Sequence, residues 1–147
     1  MTEDRFDPWR AAERHDDLIL AQHPVAALMG GGFHAWRGGI GVIVVDPGLA
    51  GPDRRAVLTH ELVHHERGDG VDRLDAPPTW QALVDREERA VDREVARRLV
   101  PPIELAALVA ERSALDDGIG AVEVAEHFDV PPWVASLALE QHRPTTG

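Results

Sequence analysis

The sequence predicts an α+β domain that combines a small, mostly antiparallel sheet with two long central helices and a helical C-terminal cap. The clearest strand is the run Gly41-Val42-Ile43-Val44-Val45, which is rich in β-branched residues and ends at the turn-forming Asp46-Pro47-Gly48. Two segments of helical length, residues 51–68 and 79–100, are bounded by proline and glycine. Beyond residue 102, apolar side chains recur at helical spacing, which predicts further helices.

The N-terminal part of the chain is predicted to form a short helix and the rest of the sheet. The helix starts at Asp7-Pro8-Trp9 and runs to about His15, and residues 18–21 form a short strand. Residues 26–29 and 33–36, separated by three glycines, are predicted to form a hairpin. The sheet either simply covers one side of the helix that follows or also captures an extended peptide at its edge.

Residues 51–68 contain the most informative pattern, His60-Glu61-Leu62-Val63-His64. Pro52 suits the first turn of a helix and Gly68 suits a left-handed C-terminal cap, so the pattern is predicted to lie on a helix. Two histidines four residues apart then lie about 5–6 Å from each other on one face, and both imidazoles can reach one Zn²⁺ at roughly 2.0–2.1 Å. Glu61 is placed to take a proton from a water that the metal activates. In the alternative interpretation, these side chains are polar surface on an amphipathic helix.

A catalytic zinc site needs a third protein ligand and an open position for water. The chain has no Cys, and the position six residues after the second histidine is Gly70, which excludes a third histidine there. A carboxylate from a second helix is the remaining common ligand. Residues 79–100 form that predicted helix, which follows Pro77-Pro78, begins with Thr79 as its N-cap and ends before Pro101-Pro102.

Glu88 and Asp92 lie within an apolar stripe of this second helix. The stripe also contains Val84, Val91, Val95 and Leu99, and the arginines at 86, 89, 93 and 97 point away from it. A carboxylate at the centre of an apolar stripe is costly to bury unpaired, and a zinc ion opposite Glu88 would remove that cost. Glu88 is therefore the predicted third ligand, with Glu87 on the flank as the weaker candidate. Asp92 is predicted to accept the second ring N–H of a ligand histidine. The alternative is a set of ion pairs between these acids and the arginines.

These residues resemble the ImmA/IrrE-type metallopeptidases, particularly their short actinobacterial forms. Residues 60–64, followed by residues 88–92, resemble the gluzincin layout, and the similarity extends through residues 54–68 (RRAVLTHELVHHERG) and 91–101 (VDREVARRLVP). The resemblance covers roughly residues 9–140. It implies a zincin-like fold, one zinc ion per chain and endopeptidase activity.

The characterised members of that family cleave helix-turn-helix repressors and so derepress mobile-element or stress-response genes. The resemblance therefore implies a protein substrate, a helix-turn-helix repressor. From the chain length we expect a single domain over residues 1–147, with the N-terminal helix and sheet in 1–50, the zinc-site helices in 51–101 and the helical cap in 102–147. The alternative function is a catalytically silent, zinc-bound module that binds a repressor or another partner protein.

The residue that stabilises the oxyanion is left open by the sequence. Many gluzincins use a Tyr or a His for this role, and the chain has no Tyr. His34, His65 and Arg37 are the candidates, and the zinc ion alone is the alternative.

The composition limits the partners. The formal net charge is −11, whereas nucleic-acid binding needs a basic footprint, so we expect no direct nucleic-acid contact. Electrostatic steering would instead favour a basic protein partner. No apolar run reaches the roughly 18 residues of a membrane span, and the acidic N-terminus lacks the apolar core of a signal peptide. We therefore expect a cytoplasmic protein without membrane contact.

Residues 122–140 have a spacing typical of a helix-turn-helix, which would suit a DNA-associated regulator. Four acidic side chains make this segment unsuited to phosphate contact: Glu123, Glu126, Asp129 and Glu140. A helical cap that packs on the rest of the domain is therefore the favoured interpretation.

Overall fold

The structure, a computed structural model, describes residues 5–68, 81–115 and 118–143, with side chains from residue 84 onward in the second range. The elements follow in the order α1 (Pro8–Glu13), β1 (Leu18–Gln22), a 3-10 helix (Pro24–Met29), β2 (Gly32–Arg37), β3 (Ile40–Val45), α2 (Gly51–Arg67), α3 (Gln81–Leu99), α4 (Pro102–Ala114), α5 (Ala121–Phe128) and α6 (Pro132–His142). The predicted loop at 69–78 and the predicted N-cap Thr79 lie outside the described residues. The α+β class is confirmed.

The sheet has the strand order β1-β3-β2, so that β3 is central. β2 and β3 are antiparallel, with Gly32 opposite Val45, whereas β1 and β3 are parallel, with Leu18 opposite Gly41. The sheet is therefore mixed, and the expectation of a mostly antiparallel sheet was wrong for one of the two strand pairs. After β1 the chain passes through the 3-10 helix and β2, and it then returns as β3 between the two edge strands. β3 therefore runs parallel to β1 and antiparallel to β2.

The predicted hairpin was wrong in its first arm. Residues 26–29 belong to the 3-10 helix, which has Pro24 in its first turn and the Nδ1 atom of His23 as acceptor for the N–H of Val25, at 3.0 Å. The helix ends at Gly30 in the left-handed conformation, with φ 77°. The actual hairpin joins β2 to β3 through Gly38-Gly39, which both have positive φ and therefore form a turn that other residues rarely adopt.

Helix α2 separates two apolar clusters. Leu58 and Leu62 are fully buried against the sheet, with Ile43 and Val45 of β3 in the same cluster. The opposite side of α2 belongs to a second cluster, formed with the later helices: Ala56, Val63, Val91, Val95, Ala96, Leu99, Leu105, Val124, Phe128, Val134, Ala135 and Ala138 are among its members. Because apolar residues cover two faces of α2, its polar side chains are confined to the faces between them.

The C-terminal helices form the predicted cap on this second cluster. Arg55 of α2 holds the end of α5, donating hydrogen bonds from Nη1 to the carbonyl oxygens of Phe128 and Asp129 at 2.9 and 2.8 Å. Asp129 ends α5 in the left-handed conformation with φ 57°. In the parts of the chain that the structure describes, no helix is both long and apolar enough to cross a membrane.

Candidate metal centre

His60 and His64 lie one turn apart on α2, with their ring centroids 4.7 Å from each other. Proline in the first turn and Gly68 in the left-handed conformation bound this helix, as the sequence predicted. His64 is 4% exposed, whereas His60 is only partly buried. The two rings therefore form one side of a site, and α3 forms the other side.

Glu88 of α3 completes the group. Its Oε2 atom lies 3.0 Å from Nε2 of His60 and its Oε1 atom lies 3.1 Å from Nε2 of His64. One ligand atom from each of these three residues lies within 4.8 Å of the other two. Ligands on a zinc tetrahedron with bonds of roughly 2.0–2.1 Å are about 3.3 Å apart, close to the observed contacts. Two imidazoles and a carboxylate are also ordinary zinc donors, so the residues present fit a zinc ion.

The two adjacent glutamates of α3 differ in their position relative to the histidines. Both Glu87 and Glu88 are partly buried, but Glu88 is the one grouped with the two histidines. This agrees with the sequence argument that the carboxylate at the centre of the apolar stripe faces α2, where Val91 and Val95 are fully buried.

The charges of the site are complementary. Burial lowers the pKa of His60, but hydrogen bonds to Glu61 and Glu88 outweigh it and raise that pKa to about 10. Burial raises the pKa of Glu88, and its contacts with His60 and His64 outweigh that effect, so the pKa lies well below its usual value. The carboxylate of Glu88 is therefore ionised. Together with Glu61 it favours a positive charge on His60.

Asp92 lies one turn beyond Glu88, with Oδ1 3.5 Å from Nε2 of His60. This is the ring nitrogen that also faces Glu88, whereas Nδ1 of His60 lies 3.3 Å from Oε1 of Glu61. Burial raises the pKa of Asp92, and the charge of Glu88 acts in the same direction against the opposing effect of His60. In this arrangement Asp92 lies beside the metal-facing nitrogen of His60, whereas the other ring nitrogen of His60 faces Glu61. The role of Asp92 as the acceptor for a ligand histidine stays a prediction.

Glu61 lies between the two histidines and the sheet. It is 9% exposed, and a methyl group placed on Gly32 of β2 would lie 3.6 Å from its Cγ atom and 2.5 Å from Cγ1 of Val57. The start of β2 therefore passes so close to α2 that only glycine fits. β2 is an edge strand of the described sheet, and its first residue lies beside the acidic residue of the motif.

The three candidates for oxyanion stabilisation lie on β2 and on the sheet side of α2. Nε2 of His34 is 3.0 Å from Nδ1 of His65, and the side chain of His65 is 2% exposed. Arg37 is exposed at the end of β2. Their role in catalysis stays a prediction.

Two residues that the sequence alone does not indicate face His65. Asp17 accepts a hydrogen bond from Nε2 of His65 at 2.9 Å, and the ring of His15 lies edge-on to it with centroids 5.3 Å apart. The signal in the sequence is weak, since it consists only of a His and an Asp two residues apart after α1.

The sequence profile of the peptidase family Peptidase_M78, described as the IrrE N-terminal-like domain, matches residues 12–140. The chain belongs to this family. The match confirms the predicted ImmA/IrrE-type relationship and spans both helices of the metal centre. Membership in Peptidase_M78 implies protease activity, and the group of His60, His64 and Glu88 gives this member residues able to hold a metal ion. No curated protein and no solved structure gives a significant match to the chain.

Proposed function

We propose that the protein is a zinc-dependent endopeptidase in which His60, His64 and Glu88 hold one zinc ion and Glu61 is the general base. The observation that carries this proposal is the convergence of two Nε2 atoms from α2 on one carboxylate from α3, at 3.0 and 3.1 Å. Family membership supplies the reaction class, since the matching family is one of peptidases.

The chemistry follows from the positions of these groups. A zinc ion held by the three ligands would polarise the scissile carbonyl and lower the pKa of the attacking water. Glu61 accepts a proton from this water as its oxygen bonds to the carbonyl carbon. Glu61 then donates the proton to the amide nitrogen as the C–N bond breaks, which leaves a carboxylic acid and an amine.

The edge of the sheet supports the binding of an extended peptide. β2 is an edge strand of the described sheet, and its first residue, Gly32, lies against Glu61. A substrate that adds to this edge through backbone hydrogen bonds would carry a peptide bond past Glu61. Such recognition depends on an extended substrate backbone more than on particular side chains.

A helix-turn-helix repressor is the proposed substrate. The support is the resemblance to metallopeptidases that cleave such repressors, together with a net charge of −11 that favours a basic protein partner. The proposal places the enzyme in the cytoplasm, where such repressors act, and includes neither nucleic acid nor membrane as a direct partner.

The test is to incubate the zinc-loaded protein with the helix-turn-helix protein encoded beside its gene and to separate the products by mass. We expect fragments with the wild-type chain and none with Glu61→Gln, which keeps its zinc because Glu61 is not a ligand. Glu87→Gln, a change at the neighbour of Glu88, serves as the matched control and should cleave normally. A Glu61→Gln protein that keeps the full biological effect would contradict the proposal and indicate the silent binding module.

A further inference from the structure

We infer that the chain carries a second site for a divalent metal ion, formed by His15, Asp17 and His65, whose donor set suits Zn²⁺. The three residues come from the segment between α1 and β1 and from α2. One ligand atom of each lies within 4.8 Å of the other two, the same mutual proximity as in the group of His60, His64 and Glu88. The two imidazoles favour zinc and its transition-metal neighbours over Mg²⁺ or Ca²⁺, and a carboxylate is an ordinary third ligand for zinc.

The two sites are separate although His64 and His65 are adjacent. Successive residues of a helix point about 100° apart, so the two rings leave α2 on different sides. His64 contacts Glu88 on α3, whereas His65 contacts Asp17, the residue before β1. The two sites therefore have no ligand in common.

His65 has the surroundings of a metal ligand. Its side chain is 2% exposed, and the ring of Trp36 stacks on it with centroids 4.7 Å apart. Nδ1 lies 3.0 Å from Nε2 of His34, while Nε2 points to Asp17 at 2.9 Å. Ligand histidines typically use one ring nitrogen for the metal and fix the ring with a hydrogen bond from the other. Gly41 opposite the ring carries no side chain, and a methyl group there would overlap it.

His15 is fixed in a similar way. Its Nε2 atom lies 3.2 Å from Oε1 of Glu66, and Oε2 of Glu66 accepts a hydrogen bond from Nη2 of Arg98 at 2.5 Å. With neutral imidazoles, the carboxylates of Asp17 and Glu66 outweigh the single cation Arg98 and give the cluster a net negative charge. Asp17 is exposed, which leaves one side of the cluster open for water as a further ligand.

A metal ion at this second site would fasten the segment between α1 and β1 to the middle of the fold. The contact between Asp17 and His65 spans 48 positions of the sequence and joins the segment before β1 to α2. Because a ligand that binds only the folded state stabilises it, zinc should raise the melting temperature even when the first site is removed. This effect can be measured without any peptidase assay.

The experiment uses the full chain with His60→Ala and His64→Ala, which removes the first site. Titration with Zn²⁺ against a chromophoric chelator should show about one bound equivalent, and Zn²⁺ should raise the melting temperature. Adding Asp17→Asn should weaken binding at least about tenfold, since even the loss of a residue that only supports a ligand costs 10–100-fold. Asp16→Asn, at the exposed neighbour, is the matched control and should bind as its parent does.

Two results would overturn the second site: a double variant that binds no zinc, or one that binds equally with Asp17→Asn and Asp16→Asn. If the double variant does not fold, the bound zinc is counted in otherwise unaltered chains instead. The wild-type protein and Asp16→Asn should then hold two equivalents and Asp17→Asn one. One equivalent in all three proteins would again contradict the inference.

Discussion

Glu88 of α3 places its Oε2 atom 3.0 Å from Nε2 of His60 on α2, although the two residues are 28 positions apart. The contact joins the two long helices, whose interface also contains the buried side chains of Val63, Val91 and Val95. An ionised carboxylate at this position is stabilised only if a positive charge faces it. A proton on His60 supplies that charge in the metal-free protein, and zinc supplies it in the proposed enzyme.

Replacing Glu88 by Gln should lower the affinity for zinc at the first site at least about tenfold, because the amide keeps the shape of the side chain but not its charge. Glu87→Gln changes the same functional group one position away and should leave the affinity unchanged. Competition with a chelator measures both values. Equal affinities of the two variants would remove Glu88 from the ligand set.

Zinc binding should release protons and strengthen as the pH rises. The contacts with Glu61 and Glu88 raise the pKa of His60 to about 10, so this residue is protonated at neutral pH and must lose its proton to bind the metal. Between pH 6 and 8 we expect affinity to rise about tenfold per pH unit for each proton displaced. Calorimetry in buffers of different ionisation enthalpy counts these protons. An affinity that is constant over this range would contradict the expectation.

The raised pKa of His60 also predicts how the stability of the metal-free protein depends on pH. Because the pKa of His60 is higher in the folded state than its ordinary value of 6.5, protonation stabilises the fold fully below pH 6.5. That contribution is lost as the pH rises through about 10. Denaturant unfolding of the protein in chelator, at several pH values, measures it against a chain with His60→Ala.

Gly41→Ala should destabilise the fold by about 1–3 kcal/mol, because overpacking forces neighbouring groups to move. A methyl group at this position would overlap the ring of His65 and lie 2.9 Å from Nε2 of His34. Gly51→Ala, where a methyl group meets nothing within 4 Å, is the control and should change stability by less than about 0.5 kcal/mol. Urea unfolding compares the two. Equal stabilities would show that the ring of His65 does not pack against β3 as described.

Arg55→Ala should loosen the C-terminal cap. The guanidinium donates to the carbonyl oxygens of both Phe128 and Asp129, and its loss leaves them without these donors, at a cost of about 1–3 kcal/mol. Arg89→Ala removes an exposed arginine of α3 and should be nearly neutral. Unfolding free energies and hydrogen exchange at the end of α5 measure the difference. An unchanged exchange rate there would contradict the role given to Arg55.

Local signals predicted the helices of the metal centre well. Proline at the start and glycine at the end of α2 are signals that act on the residues next to them. The helix runs from Gly51 to Arg67, with Gly68 as its left-handed cap. The sheet was predicted less well because pairing is non-local. Residues 26–29 looked extended, but Pro24 and the capping side chain of His23 start a 3-10 helix there.

The same distinction holds for the two groups of residues that could hold a metal ion. Glu88 was predictable because a carboxylate within an apolar stripe needs a partner, and the helical period shows the stripe directly. His15 and Asp17 carry no such local signal. They meet His65 only because β1 pairs in parallel with β3, and this pairing depends on the path of the chain through the 3-10 helix and β2.

The proposed enzyme requires that His60, His64 and Glu88 share one zinc ion. Diffraction from crystals grown with zinc, recorded on both sides of the zinc absorption edge, shows whether these residues bind the ion. We expect an anomalous peak roughly 2.0–2.1 Å from Nε2 of each histidine and from an oxygen of Glu88. A well-ordered crystal in which Glu88 turns to solvent and no peak lies between the two histidines would contradict it.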